Sequence, residues 1–456
     1  MLSVLSHARK NITYIRTDYT TLLRMTITEL YQIFRKYPVI TTDTRSCPPD
    51  SIFFALKGET FNGNRFALQA LEKGCRYAVV DELVGCDETD SRIIKTDDVL
   101  NTLQQLAHHH RKQLCTRIIG ITGTNGKTTT KELIAAVLAE KYNVLYTQGN
   151  LNNHIGVPKT LLQLTAEHDI AVIEMGANHP GEIKTLVDIV EPDCGLITNV
   201  GRAHLGGFGS FEGVVRTKGE LYDYLRHNSA TAFIHAENQY LKAIADGLTL
   251  VKYGTQPDSD LLVCGEVREC APFLSFTWRR KGGADNLVNT KLIGDYNIYN
   301  MLAAATIGVS YALSDEQICH ALATYTPSNN RSQLTVTERN RLVVDAYNAN
   351  PTSMAAALNN FAMMKAERKM MILGSMGELG DVSETEHQKI VDIIKTTGIE
   401  HVWLVGSEFA RIEHPYRQFS DVEEVKHAIN AEQIADRCIL IKGSNAQRLF
   451  TLPETL

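Results

Sequence analysis

At 456 residues, with 44% apolar and 21% charged residues, the chain has room for about three ordinary domains and the composition of a soluble globular protein. A formal net charge of −6 and the lack of any long Lys/Arg run argue against a nucleic-acid partner, whose phosphates call for clustered cations. The longest apolar runs, such as MLAAATIGV, are too short to span a bilayer, and the nine cysteines include no CxxC pair, so reduced thiols are expected. The opening stretch, MLSVLSHARKNITYIRTDYTTLLR, lacks the basic-then-apolar build of a secretory signal, which makes the cytoplasm the expected location.

Residues 1–24 show little apolar periodicity and are expected to be an extension or the product of a mis-assigned start. After Met25, TITELYQIF has the spacing that begins a helix. A first block, 25–113, holds the strand-like runs SIFFAL, RYAVVD and RIIKT. Its end carries HHH at 108–110, and adjacent residues do not converge on one point, so a solvent-exposed stretch is expected rather than a metal site. A second block, 114–326, opens with RIIGIT and alternates strand and helix signals. The third, 327–456, begins near LTVTERNRLVVDAY and continues with the strands MMILG, HVWLVG and RCILIKG. Such alternation predicts α/β domains with parallel sheets covered on both faces.

Directly after RIIGIT comes Gly123-Thr124-Asn125-Gly126-Lys127-Thr128. This is the short form of a phosphate-binding loop, since the first glycine of the longer GxxxxGK[ST] motif is replaced by Ile121. Glycines free the backbone so that N–H groups can face phosphate oxygens, Lys127 brings a point charge, and Thr128 offers an oxygen to Mg²⁺. The following helix, TTKELIAAVLAEKY, adds the positive end of its dipole. The continuous apolar strand in DIAVIEMGA ends at Glu174, placing a carboxylate at the strand edge where parallel sheets bind ligands. GLITNV leads to His204 at the same edge. Lys218, within VVRTKGELYDYL, reads from the residues alone as a solvated helix lysine.

The chain resembles the Mur ligases, ATP-dependent enzymes that build the peptide of bacterial cell-wall precursors. The likeness covers residues 26–450 and rests on eleven segments in order. These are TTDTR, SIFFALKGETFNGNRFA, GTNGKTTTKE, GNLNNHIGVPKTLL, EMGANHPGEI, NVGRAHL, TKGELY, LIGDYNIYN, DAYNANPTSM, LGSMGELG with the EH that follows, and IKGSNA. The resemblance implies three α/β domains: a small uridine-nucleotide-binding domain, a central P-loop ATPase-like parallel-sheet domain and a C-terminal Rossmann-like domain. Within the family it is nearest to members that join D-alanyl-D-alanine to UDP-N-acetylmuramoyl-tripeptide, which makes those two molecules the expected partners and a monomer the expected state.

It further implies that Thr44, Arg45 and the segment Phe54-Ala55-Leu56-Lys57-Gly58 lie near the UDP moiety, and that Asn152 and Asn153 meet the muramoyl substrate. ATP falls to residues 123–129, ending at Thr129, with Asn297 and Asn300 near adenine and Asp345, Tyr347, Asn348 and Pro351 reaching the nucleotide from the third domain. Two Mg²⁺ ions are implied, held by Thr128, Glu174, His204 and Lys218, the last as a CO₂-derived carbamate. Lys127, His204, Lys218 and Arg331 are the implied catalytic residues. The implied reaction is attack of a peptide carboxylate on the γ-phosphate, then displacement of phosphate by an amine, with no protein nucleophile. Two departures stand out: GDYN replaces the usual GxHN, putting Tyr296 in place of an imidazole, and Lys159 stands where an apolar residue is common. Folate-polyglutamylating enzymes share the ATPase but have no TDTR and FFALKG domain. Relatives adding a diamino acid carry DNPR, where this chain has DAYNANP. GSMGELG lacks the close glycine pair of a dinucleotide fingerprint.

Overall fold

The structure is a computed structural model and describes residues 25–87, 89–327 and 333–456. Arg331 and residues 1–24 lie outside them. The chain divides into two compact units, residues 1–102 and 103–456.

The first unit opens with α1 (Ile27–Lys36). Thr26 Oγ1 accepts from the Glu29 amide and Glu29 Oε2 from the Thr26 amide, a reciprocal cap that fixes where the helix starts. The helix buries Leu30, Tyr31 and Phe34 along one stripe. Strands β1 (Ile40–Thr41), β2 (Ile52–Phe54), β3 (Tyr77–Val80) and β4 (Ile93–Lys95) form a parallel sheet in that order, with α2 (Ala67–Glu72) between β2 and β3. After β4 the chain enters α3 (Val99–Lys112), most of which belongs to the second unit.

The second unit holds two sheets. The first begins with β5 (Arg117–Thr122), α4 (Lys127–Ala139), β6 (Val144–Tyr146), α5 (Gly156–Leu161), β7 (Ile170–Glu174) and α6 (Glu182–Val190). It continues with β8 (Cys194–Ile197), α7 (Leu205–Phe208), α8 (Phe211–His227), β9 (Thr231–His235), α9 (Gln239–Ala243) and β10 (Thr249–Gly254). Strands β11 (Leu261–Cys270), β12 (Phe273–Arg280) and β13 (Asn286–Ile293) follow, then α10 (Ile298–Ser310) and α11 (Asp315–Thr324). The strand order is β13-β12-β11-β10-β9-β8-β5-β7-β6. The expectation of a parallel sheet holds from β6 to β11, but β12 and β13 add antiparallel. Short turns join β11 to β12 and β12 to β13, too short for the crossover that a parallel neighbour requires.

The second sheet contains β14 (Gln333–Val336), β15 (Arg341–Asp345), α12 (Pro351–Met363), β16 (Lys369–Gly374), α13 (Ser383–Thr396), β17 (Val402–Val405), β18 (Arg417–Phe419), α14 (Val422–Glu432) and β19 (Cys438–Lys442). Its order is β14-β15-β19-β16-β17-β18, parallel except at β14. Alternate residues divide between two cores. Val343, Leu373 and Leu440 pack under α12 and α13, whereas Leu342, Val344, Ile372 and Ile441 pack under α14. The chain thus leaves β16 toward one face and β19 toward the other, the arrangement that in parallel sheets puts a ligand at the carboxyl ends of neighbouring strands.

The triple histidine is not the exposed stretch expected. It lies in α3, where His110 is buried with its Nε2 2.9 Å from the Leu164 carbonyl, and His108 faces Glu191 Oε1 at 2.9 Å. The helix turns these side chains to different faces, and two of them pack within the second unit, to which all three belong.

Candidate active site

The phosphate loop joins β5 to α4, as its sequence requires. Gly123 has φ +143°, and a Cβ there would sit 2.0 Å from Thr198 Oγ1; Gly126, at φ +77°, is the left-handed residue that starts α4. Both positions demand glycine. Not every loop amide points at the expected phosphate, however. Thr124 N donates to the Asn199 carbonyl at 2.9 Å and Asn125 N to Asn199 Oδ1 at 3.0 Å, while Thr198 Oγ1 donates to the Asn125 carbonyl at 2.7 Å. The β8 end therefore braces the loop from below, and the donors left for an anion belong to the first turn of α4, where helix amides lack intrahelical partners. Lys127 Nζ folds back onto the carbonyls of Gly123 and Thr124 at 2.8 and 3.0 Å. Thr128 and Thr129 are buried beside it.

Glu174 ends β7 on the α4 face and is 1% exposed. Its Oε1 accepts from Asn152 Nδ2 at 2.8 Å, while Oε2 accepts no hydrogen bond and faces Lys131 Nζ at 3.8 Å. A buried carboxylate oxygen with a lone pair to spare suits a hard cation, as the sequence suggested. Lys131 was missed by sequence reasoning. Its signal was present: it stands one helical turn past Lys127 in GKTTTKE, on the face that packs on the sheet. Asn153 is used differently from its neighbour, because its Oδ1 accepts from the Ile155 and Gly156 amides in the turn that leads into α5.

Lys218 overturns the reading of a solvated lysine, being 2% exposed. Burial, then the nearby charge of Lys127, pushes its pKa down to about 7, against a weaker upward pull from Glu182 and Glu220. Its Nζ donates to the Ala177 carbonyl at 3.2 Å and lies 5.2 Å from the centre of the Phe208 ring. His204 starts α7 with a left-handed φ of +50°, and its Nδ1 lies against a carboxylate oxygen of Glu378 in the GSMGELG loop. That imidazole lowers the Glu378 carboxyl below its usual range. Nearby, Arg202 Nη1 meets Glu386 Oε1 at 3.0 Å. Among the described residues no group of three or more His, Cys, Asp or Glu side chains is gathered around one metal-sized point.

Asn297 and Asn300 sit at the start of α10 but spend their amides internally. Asn297 Nδ2 donates to the Ile293 carbonyl at 2.8 Å, Asn300 Nδ2 to Asn297 Oδ1 at 2.8 Å, and Thr130 Oγ1 to Asn300 Oδ1 at 3.0 Å. This chain pins α10 to the phosphate-loop helix. Tyr296 and Tyr299 line an adjoining cleft of about 710 Å³ together with Trp278, Arg268 and Asp295.

From the other sheet, Asp345 ends β15 and pairs with Lys442 Nζ at 2.6 Å. Tyr347 is half-buried and Asn348 exposed, its Oδ1 accepting from the Ala349 amide at 2.8 Å. Pro351 is the buried first residue of α12, capped by Asn350. The carboxamides of Asn350 and Asn125 exchange bonds at 2.7 and 3.4 Å, so the 345–350 segment touches the phosphate loop directly. Neither Asn350 nor Lys442 was singled out by sequence reasoning, although both lie in segments that carried the resemblance.

In the first unit Phe54, Ala55 and Leu56 are buried, so they shape that unit rather than offer polar contacts. Lys57 is exposed and held by Asp81 at 2.9 Å and Glu82 at 2.8 Å, and the Gly58 amide donates to the Phe61 carbonyl at 3.0 Å. Arg45 lies open to solvent against Asp43, and the Thr44 carbonyl accepts from Lys73 Nζ at 2.8 Å.

A glycine-braced phosphate loop, a buried strand-end carboxylate and a desolvated lysine, fed by a loop from a Rossmann-like sheet, define a nucleotide-using enzyme of the α/β class. Comparison with known proteins narrows this. Residues 36–111 match the Mur ligase family catalytic domain, 121–308 the Mur ligase middle domain and 330–445 the Mur ligase glutamate ligase domain. The chain is 34% identical over 428 residues to the UDP-N-acetylmuramoyl-tripeptide–D-alanyl-D-alanine ligase of Bacillus subtilis, covering 91% of this chain and 92% of that one. The enzyme of the same name from Escherichia coli is 35% identical over 427 residues, covering 91% and 93%. A crystal structure of MurF from Acinetobacter baumannii superposes with a TM-score of 0.83 at 29% identity, covering 94% and 98%. The chain belongs to the Mur ligase family and is a ligase.

Proposed function

We propose that the protein joins D-alanyl-D-alanine to UDP-N-acetylmuramoyl-tripeptide with consumption of ATP, a step of bacterial peptidoglycan precursor synthesis. The observation that carries this reading is the arrangement of Lys127, Glu174 and Lys218 about one sheet edge, in a chain whose full-length relatives bear that name. We assign residues 25–113 to the uridine nucleotide through Thr44, Arg45 and Lys57, residues 114–326 to ATP and the muramoyl substrate, and residues 327–456 to closure over the nucleotide. A cytoplasmic monomer is the working state. Among the described residues no helix is long and apolar enough to cross a membrane.

The tripeptide carboxylate attacks the γ-phosphate, and the resulting acyl phosphate is captured by the dipeptide amine. Lys127 swings from its own loop carbonyls to the β/γ-phosphates, while the first turn of α4 donates amides to them. Arg331, implied by resemblance, adds charge near the same phosphates. Asn152 holds Glu174 in place from one side. The residues fit a divalent cation: Thr128 and Glu174 would hold one, and His204 with a carbamate on Lys218 a second. Bound Mg²⁺ there would withdraw charge from the phosphates. Burial keeps the Lys218 amine in reach of its neutral form, which is the form that adds CO₂. The cleft beside Tyr296 takes the nucleoside end of ATP. Docking of the 345–350 segment on Asn125 keeps water from the acyl phosphate.

Phosphate release with UDP-muramoyl-tripeptide and ATP tests this directly. Release that rises with added D-alanyl-D-alanine, together with the new amide by mass spectrometry, is expected. Release indifferent to the dipeptide sinks the reading.

A further inference from the structure

We infer that Lys442 is a positioning residue for the nucleotide, its buried ammonium holding the 345–350 segment so that Asp345 faces the ribose diol. The inference rests on the reading of Asp345 as a nucleotide contact.

Register places the two residues together. Strands β15 and β19 run parallel with Asp345 opposite Lys442, one step beyond the Val344–Ile441 pair. Val344 and Ile441 face α14, so by pleat alternation Asp345 and Lys442 both face the α12–α13 side. Lys442 is 1% exposed there, on a sheet face whose preceding residues are apolar. A lysine so placed is desolvated and needs oxygen partners. It has two: Asp345 Oδ2 at 2.6 Å and the Asn348 carbonyl at 3.2 Å.

Those partners are the two ends of a tight loop. Its continuation carries Asn350 onto Asn125 of the phosphate loop, and Thr352 Oγ1 accepts from the Arg202 amide at 3.2 Å. One cation thus anchors the near end of a segment whose far end touches the phosphate site. Among the described residues only Oδ2 of Asp345 is engaged; Oδ1 accepts no hydrogen bond, and the side chain is 18% exposed. A carboxylate fixed through one oxygen, with the other open, suits a vicinal diol, each of whose hydroxyls donates a hydrogen bond.

A purely structural ion pair would share the burial and the short distance, so the test reads ribose recognition. Binding of ATP and of 2′,3′-dideoxy-ATP is measured by calorimetry on the full chain, for the wild type, Lys442→Met, Lys442→Gln and Lys442→Arg. In the wild type ATP is expected to bind about tenfold tighter than the dideoxy analogue, the value of a hydrogen bond to a charged group. In Lys442→Met the ratio falls to about one, and in steady-state assays KM for ATP rises while KM for the dipeptide holds; Lys442→Arg restores the ratio. Lys442→Gln, which keeps two N–H donors, serves where the methionine variant does not fold. A folded Met or Gln variant that keeps the wild-type ratio overturns the inference. So does a wild type that binds both nucleotides equally. Neither outcome touches the ligase reading, which fails separately if the wild type binds ATP yet forms no amide.

Discussion

Lys57 of the first unit and Lys218 of the second are both lysines assigned to ligand sites, and their surroundings give them opposite chemistry. Lys57 lies 41% exposed between two carboxylates, Glu82 and Asp81, which raise its pKa and keep it cationic at any physiological pH. Lys218 is sealed from water with another lysine nearby, and its pKa falls to about 7. The first can only attract an anion. The second can shed its proton and react, which a carbamate requires. Residue type is shared; solvent access and neighbouring charge decide what the amine does.

The contrast can be broken at the reacting end first. Lys127→Ala is expected to cut kcat by about 10³-fold or more, some 4 kcal/mol of transition-state stabilisation, with the melting curve unchanged. Near-normal turnover would remove the phosphate-loop lysine from the mechanism. Lys218→Arg, which cannot become neutral, is expected to lose about 10²-fold in amide formation, and wild-type protein equilibrated with CO₂ should show a carbamate on Lys218 by ¹³C NMR. Equal activity of that variant would show that a fixed cation suffices. Gly123→Ala should lower unfolding free energy by about 2–3 kcal/mol in denaturant titrations, because the added methyl meets Thr198 in a left-handed loop.

Smaller effects test the scaffold. His387 is fully buried, receives the Met376 amide on Nε2 at 3.0 Å and has its pKa lowered by burial. Between its depressed folded value and the ordinary 6.5, the unfolded chain binds the extra proton. Stability therefore falls as pH drops below about 6.5, by at most about 1.4 kcal/mol per pH unit. His387→Gln should flatten this slope in melts from pH 7 to pH 5; an unaltered slope would assign it to other groups. Least of all, Lys57→Ala should leave melting temperature and KM for ATP alone while raising KM for the UDP-linked substrate. A change in both KM values would deny the first unit a separate role.

The phosphate loop was legible because its requirements are local: two glycines with forbidden torsions, a strand before and a helix after. Glu174 and His204 were placed at the right sheet edge for the same reason. Burial of Lys218 was not legible from α8, whose pattern does not announce a lysine facing inward; only the likeness to a family singled it out. The antiparallel β12 and β13 escaped a reading based on strand–helix alternation, since their turns are short. The internal bonds of Asn153 to the turn before α5, and of Asn300 to Asn297 near α10, were not legible either. An amide's partner depends on what lies within 3 Å, which spacing along a chain does not report.

Sequence by itself determined the α/β class, the strands that flank the phosphate loop, the loop itself and the family, because torsional limits and hydrophobic periodicity act over a few residues. Tertiary structure alone decided which charges are dry and which are wet. It set Lys131 beside Glu174, Lys442 beside Asp345 and Asn350 against Asn125, pairs 43, 97 and 225 residues apart. Charge and hydrogen-bond energies depend on distance and solvent in space, and only the folded sheets bring those residues together.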